Sequence, residues 1–126
     1  MNGIEFTLKH APAHSFIGRK PTAVLFDNER IEVKKWTDVY RMIYERVNQD
    51  PQGHEDLMYL RNKAIGKVRV FVSDFGDGMK RPMKVDDNLY VENCYGVETS
   101  FHIMLNCVLR YVRYDISNIK VVVKNR

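Results

Sequence analysis

The stretch that decides the fold is the last third of the chain, where residues 89–123 read LYVENCYGVETSFHIMLNCVLRYVRYDISNIKVVV. Residues 89–93 predict a short strand, and the β-branched run at residues 119–123 predicts a closing strand. Between them, apolar residues recur at helical spacing and predict a long helix over residues 97–114. A basic segment at residues 79–84 is expected to be a loop that leads into this unit.

The predicted helix carries two separate faces. Its core-facing stripe consists of Val97, Phe101, Met104, Leu105, Val108 and Val112. At about 100° per residue, four polar side chains cluster within about 80° of arc on another face. These four are His102, Asn106, Arg110 and Arg113. Two arginines on one face can clamp a pyrophosphate, although arginines near a helix C-terminus also suit the helix dipole and are commonly solvated.

The rest of the chain predicts an α+β fold in a single domain, residues 1–126. Strands are predicted at residues 4–8, 22–26, 31–33 and 68–72, with hairpin turn chemistry at residues 27–30. Thr37 predicts the N-cap of a helix, and Asp50-Pro51 predicts the start of a shorter one. We therefore expect a mostly antiparallel sheet of five to six short strands packed against two main helices and one shorter helix.

The composition is that of an ordinary globular protein, with 44% hydrophobic and 29% charged residues. No apolar run approaches the roughly 18 residues of a membrane span, and the N-terminus lacks the pattern of a secretory signal. We expect a cytoplasmic protein with no membrane partner, in which Cys94 and Cys107 are free thiols. The formal charge of +4 permits an anionic partner without requiring one.

Residues that carry catalysis or bind metals are not arranged for either task in this sequence. His10 and His14 are four residues apart, but Pro12 lies between them and no cysteine or carboxylate cluster completes a zinc site. Asp74-Phe75-Gly76 matches a kinase tripeptide without the other kinase motifs, and residues 76–78 are expected to be a flexible hairpin turn. No nucleophile and base share a recognisable spacing. We therefore expect no enzyme, no metal and no cofactor.

Several short motifs carry a resemblance to a known family. They are KWxxVY at residues 35–40, RPxKV at residues 81–85, YVE at residues 90–92, and the closing helix and strand. Over residues 22–123 the chain resembles small bacterial and phage domains, among them modules that accompany restriction-type proteins and the first Thoeris anti-defence family of phages. The resemblance to that family implies a non-catalytic homo-oligomer that sequesters a cyclic ADP-ribose-type signal. It would thereby block immune activation in the cytoplasm of the infected bacterium.

The same resemblance implies a ligand pocket at Met83, Asn93 and Arg110, with Arg113 joining Arg110 at the phosphates. The family is expected to place an aromatic ring against the adenine near Met83. A thioether stands there in this chain and packs against a ring face less rigidly. Asn93 offers a donor and an acceptor to a base or a ribose.

Two other classes of function stay open, a nucleic-acid-binding module and a protein-protein inhibitor. A nucleic-acid-binding module of restriction-type context would contact phosphates through Lys80, Arg81, Lys84, Arg110 and Arg113. A phage protein-protein inhibitor would need no small ligand at all. For the homo-oligomer, the expected interface residues are Tyr111 and Tyr114.

Overall fold

A computed structural model gives the structure of the chain over residues 3–9, 16–65, 69–76, 79, 81–93 and 96–124. The strands are β1 (Gly3–Thr7), β2 (Pro21–Phe26), β3 (Glu29–Glu32), β4 (Ala64–Ile65), β5 (Arg69–Val70), β6 (Val72–Ser73), β7 (Arg81–Asp86), β8 (Leu89–Asn93) and β9 (Ile119–Lys124). The helices are α1 (Trp36–Gln49), α2 (Pro51–Leu60) and α3 (Val97–His102). α3 continues as a π-helix, Ile103–Val108, and a 3-10 turn, Leu109–Tyr111. We call the whole stretch of residues 97–111 the last helix.

Seven of the strands form two antiparallel sheets. The first sheet has the order β1-β9-β2-β3 and the second has the order β6-β8-β7, while β4 and β5 form a two-stranded pair. The α+β class and the antiparallel pairing confirm the prediction. The strands nevertheless divide between two sheets of four and three strands, where the sequence predicts one sheet of five to six.

The position of β9 in the middle of the first sheet follows from its composition. Val121, Val122 and Val123 are each at most 3% exposed, although neighbouring residues of a strand point to opposite faces. A strand that is buried on both faces has a nearly continuous apolar sequence, and such a strand suits the centre of a sheet. β9 therefore pairs with β1 on one side and β2 on the other, and it joins the two ends of the chain.

The prediction of a basic loop at residues 79–84 is wrong, because Arg81–Asp86 forms β7. β7 pairs with β8 so that Arg81 lies opposite Asn93 and Met83 opposite Val91. Proline lacks a backbone N–H and is tolerated on an edge strand, and β7 is at the edge of its sheet. Lys80, which belongs to the same predicted loop, lies outside the described residues. The predicted strand at residues 68–72 is divided between β5 and β6. Val68, its first residue, lies outside the described residues.

α2 begins where the sequence predicts. Asp50 is its N-cap, and the Asp50 carboxylate accepts a hydrogen bond from the backbone N–H of Gly53 at 2.9 Å. Pro51 follows as the first helical residue, where its fixed φ suits the helix and no N–H is needed. α2 then lies against β6 at the edge of the second sheet.

α1 begins one residue before the predicted N-cap. Its N-cap is Lys35, without a side-chain hydrogen bond, so the prediction of Thr37 as the N-cap is wrong. Trp36 is held inside the first turn, because its indole N–H donates to the carbonyl oxygen of Arg19 at 3.0 Å. No described helix is both long enough and apolar enough to cross a membrane.

An aromatic cluster joins α1, the last helix and the segment before β2. The ring of Phe101 stacks on Phe16 with centroids 4.5 Å apart, and Trp36 and Tyr40 meet the Phe101 ring edge-on at 5.6 and 5.3 Å. Phe16 and Phe101 are at most 1% exposed. Aromatic pairs of this geometry add about 0.5–1.5 kcal/mol each beyond the burial of their area. Trp36 therefore packs against the core at the start of α1.

The last helix is shorter and less regular than predicted. The sequence predicts that it reaches Tyr114, whereas the helical residues end at Tyr111. Val112 is extended, with φ −111° and ψ 131°. The backbone N–H of Arg113 donates to the Asp56 carboxylate at 2.8 Å, so a contact with α2 takes the chain out of the helix.

Removing the Asp50 carboxylate tests its role at the start of α2. Asp50→Ala should lower the free energy of unfolding by about 1 kcal/mol, because the N–H of Gly53 loses its acceptor. Asp38→Ala is the matched control, since Asp38 lies in the first turn of α1 and caps nothing. It acts only through the helix dipole and should cost less. Urea unfolding measures both variants, and equal losses would contradict the capping role.

Candidate functional site

A cleft of about 870 Å³ runs along the last helix. Its lining consists of Lys9, Glu98, Thr99, Phe101, His102, Leu105, Asn106, Leu109, Arg110, Val112, Tyr114, Asp115 and Ile116. The helix supplies most of these residues, the segment after β1 supplies the lysine, and the segment before β9 closes the other side. A volume of this size lies within the range of small-molecule sites in proteins, about 300–1,000 Å³.

Four polar side chains of the lining are spaced four residues apart along the last helix. They are Glu98, His102, Asn106 and Arg110, and we call them the polar ladder. An α-helix has 3.6 residues per turn, so side chains spaced four residues apart are displaced around the helix axis in one direction within α3. A π-turn, with hydrogen bonds from i to i+5, takes more than four residues, so the drift reverses there. The change from α to π after His102 thus keeps all four side chains on one cleft.

The middle of the polar ladder is joined by a hydrogen bond. Nδ2 of Asn106 lies 3.1 Å from Nδ1 of His102. An amide nitrogen donates, so Nδ1 of the imidazole accepts in this contact and the ring N–H is on Nε2. Both side chains are exposed. The Nε2–H of His102 is therefore a donor that can reach a molecule in the cleft.

Arg110 and Lys9 supply the positive charge of the cleft. Arg110 is exposed, and its guanidinium carbon lies 5.9 Å from the centroid of the Tyr111 ring. Within the part of the chain that the structure describes, Arg110 has no acidic partner. Lys9 faces Asp115, whose pKa is lowered by hydrogen bonds from Ser117 and, to a smaller degree, by the charge of Lys9. Arg110 is thus the cation of the cleft that no described acid neutralises.

Met83 and Asn93, two of the four residues that the sequence assigns to a ligand, lie together in the core and do not line the cleft. The Asn93 amide nitrogen donates to the sulfur of Met83 at 3.3 Å, and both residues are 4% exposed. Oδ1 of Asn93 is buried without a partner among the described residues. The two residues sit on adjacent strands, β7 and β8, on the face that holds Val91. The structure therefore brings together Met83 and Asn93, but separately from Arg110.

Arg113, the remaining predicted residue, is bonded to Asp56 of α2. Its Nη2 donates to Oδ1 at 2.9 Å, its Nε to Oδ2 at 3.3 Å, and its backbone N–H to Oδ2 at 2.8 Å. The Asp56 side chain is 10% exposed, and these bonds lower its pKa to about 2. A bidentate hydrogen-bonded pair of arginine and carboxylate is among the strongest interactions between side chains. Arg113 thus ties the segment after the last helix to α2 and does not line the cleft.

Sequence reasoning missed three charged residues of the cleft, which are Lys9, Glu98 and Asp115. Glu98 lies four residues before His102, so the helical spacing that selects His102, Asn106 and Arg110 could also have found it. Lys9 follows β1 and reaches the cleft only because β1 pairs with β9. No local pattern connects it to the last helix. Of the two tyrosines expected at an oligomer interface, Tyr111 is 49% exposed and Tyr114 lines the cleft.

The described residues contain no group of three or more His, Cys, Asp or Glu side chains placed to hold a metal ion. His10 and His14, the pair considered for a metal, lie outside those residues, as does Cys94. Cys107 lies in the π-helix as a free thiol. The groups that the cleft offers to a ligand are therefore charges, hydrogen-bond donors and acceptors, and apolar surface.

Comparison with family models, with curated proteins and with solved structures finds no match for this chain. The resemblance to the Thoeris anti-defence family therefore stays a prediction from the short motifs. The assignment of function depends on the geometry of the cleft.

The pKa of Asp56 makes stability depend on pH. Because this pKa falls from an ordinary value of 3.8 to about 2 on folding, the carboxylate stabilises the fold above the ordinary value. That contribution is lost as the pH falls from about 4 towards about 2. Asp56→Asn should lower the free energy of unfolding by about 2 kcal/mol at neutral pH, since it removes hydrogen bonds to a charged group.

Urea unfolding at a series of pH values measures this effect. The wild type should lose more stability than Asp56→Asn across the acid range, so that the two curves converge at low pH. Glu55→Gln, at the exposed neighbouring position of α2, is the control and should stay parallel to the wild type. Parallel curves for wild type and Asp56→Asn would contradict the assignment.

Proposed function

We propose that the protein is a non-catalytic binding protein for a phosphate-bearing nucleotide, and that the cleft along the last helix is its site. The observation that carries the proposal is the exposed guanidinium of Arg110 in a cleft of small-molecule size, without an acidic partner among the described residues. Arginine binds phosphate oxygens through two parallel hydrogen bonds, so an unneutralised arginine in a cleft favours a phosphate ligand.

The other lining residues suit the remaining parts of a nucleotide. Lys9 adds a second cation, and the Nε2–H of His102 and the Asn106 amide add hydrogen-bonding groups. Phe101 and Leu105 provide apolar surface on which a base can pack. Binding sites for small molecules commonly combine such apolar walls with a few polar groups.

Among nucleotides, we propose a cyclic ADP-ribose-type signal, as the family resemblance implies. Such a molecule contains a pyrophosphate, ribose rings and a base, and each has a suitable partner in the cleft. The protein would then act as an anti-defence protein in the cytoplasm of an infected bacterium, where it lowers the free concentration of the signal. Sequestration requires affinity without turnover, and a dissociation constant near 1 nM corresponds to roughly 12 kcal/mol.

The cleft and the residues implied by the resemblance make different predictions. The resemblance assigns the base to Met83 and a base or a ribose to Asn93, and these two residues are buried and bonded to each other. If the cleft is the site, truncating Asn93 alters the core and leaves the cleft groups in place. We favour the cleft because its polar groups are exposed to a ligand without a rearrangement of the core.

A nucleic-acid interface has less support from the described residues. Two of its expected phosphate contacts already have acidic partners, because Arg113 is bonded to Asp56 and Lys84 lies 3.2 Å from Asp87. Phosphate binding at these positions would have to compete with those carboxylates. Nucleic acid is therefore tested as an alternative outcome.

Isothermal titration of the purified protein with cyclic ADP-ribose isomers tests the proposal. We expect tight binding of at least one isomer and release of the unmodified molecule on heating. Arg110→Ala should weaken binding about 100-fold, since about 3 kcal/mol of charge-assisted hydrogen bonding is lost. The fold should stay intact, because the side chain is exposed. Arg41→Ala, at an exposed position of α1 outside the cleft, is the matched control and should bind as the wild type does.

The same titration separates the alternatives. Loss of binding in Asn93→Ala with normal binding in Arg110→Ala would move the site from the cleft to the Met83–Asn93 pair. The absence of binding to every isomer would overturn the proposal. DNA binding with a steep dependence on salt would then favour the nucleic-acid class.

A further inference from the structure

The polar ladder begins with a carboxylate that has no partner among the residues that the structure describes. Glu98 is exposed, lines the cleft, and makes no ion pair or hydrogen bond with any of the described residues. The cleft in which it lies is the one we propose for a phosphate-bearing ligand, so the inference drawn from Glu98 depends on that proposed function. Glu98 lies in the first turn of α3, where the helix dipole favours an acid. Because a carboxylate also repels phosphate, a different part of the ligand suits its position in the cleft.

The second acid of the cleft differs from Glu98 in this respect. Oδ1 of Asp115 accepts the backbone N–H of Ser117 at 2.9 Å, and the nearby Lys9 adds an attractive charge. Asp115 therefore holds the turn before β9 and is partly neutralised. Glu98 is the carboxylate whose acceptor capacity the described residues leave for a ligand.

The ladder also gives the cleft a direction. Glu98 and Arg110 are twelve residues apart and lie at opposite ends of it. At about 1.5 Å per residue, their Cα atoms are separated by at most about 18 Å along the axis. The order of groups is carboxylate, imidazole, amide and guanidinium, so the charge changes from negative to positive along the polar ladder.

We propose that Glu98 binds the hydroxyl groups of a ribose, while Arg110 at the other end binds the phosphates of the same molecule. Neighbouring hydroxyls of a ribose donate hydrogen bonds to one carboxylate, as acidic residues do in dinucleotide-binding sites. Glu98 is then a specificity-determining residue. It retains sugar-bearing phosphates and disfavours phosphates that carry no sugar.

Titration with cyclic ADP-ribose and with inorganic pyrophosphate tests this role, because Glu98 acts on the two probes with opposite sign. Glu98→Ala should weaken the binding of cyclic ADP-ribose about tenfold, since two hydrogen bonds to a charged group are lost. The same change should strengthen the binding of pyrophosphate about threefold, because a repulsive charge is removed. Glu98→Gln should show the same two directions, and Glu55→Gln, an exposed helical acid outside the cleft, should change neither affinity.

The outcomes distinguish this inference from the proposed function. If Glu98→Ala binds cyclic ADP-ribose as tightly as the wild type or more tightly, the role of Glu98 is overturned and the cleft remains the site. Binding of pyrophosphate alone, with loss in Arg110→Ala, would retain an anion site but overturn both the sugar contact and the proposed nucleotide ligand. Failure of the wild type to bind either probe would overturn the proposed function itself.

Discussion

The ring of Phe101 holds the last helix in position by contacts with three aromatic residues from two other parts of the chain. It stacks on Phe16 from the segment before β2, and it receives the edges of Trp36 and Tyr40 from α1. The ring is fully buried, so turning α3 about its axis would expose it and break every one of these contacts. Phe101 therefore sets the rotation of the helix, and with it the direction of the neighbouring His102 into the cleft.

The far end of the last helix is held in a different way. The guanidinium and the backbone N–H of Arg113 donate hydrogen bonds to the buried carboxylate of Asp56, and the last helix ends before Arg113. The helix is thus anchored by an aromatic cluster at its start and by an ion pair after its end. Its middle turns are π rather than α, and π-turns are found where tertiary contacts, and often functional sites, override regular geometry. Because the wider turns reverse the drift of a four-residue spacing, this irregular segment aligns the polar ladder.

The chemistry of the cleft is consistent with a ligand that has two unlike ends. A cleft that binds only anions would be lined by basic side chains. In this cleft, Glu98 and Arg110 lie at opposite ends of the polar ladder, with an imidazole and an amide between them. A nucleotide has hydroxyl donors on its sugar and negative charge on its phosphates, so its parts match this order. In the proposed function, selectivity comes from the two charges of the ladder rather than from the net charge of +4.

The α+β class, the hairpin at residues 27–30, the cap at Asp50 and the closing strand could be predicted from the sequence, because each depends on residues close together in the chain. Helical spacing also selected Arg110 for the candidate site. The bond of Arg113 to Asp56, a residue 57 positions away, and the burial of Met83 in a strand depend on the folded chain. Local periodicity assumes a regular helix and cannot register contacts between distant residues. The division into two sheets and the π-turns of the last helix follow from such contacts, and they therefore required the folded chain.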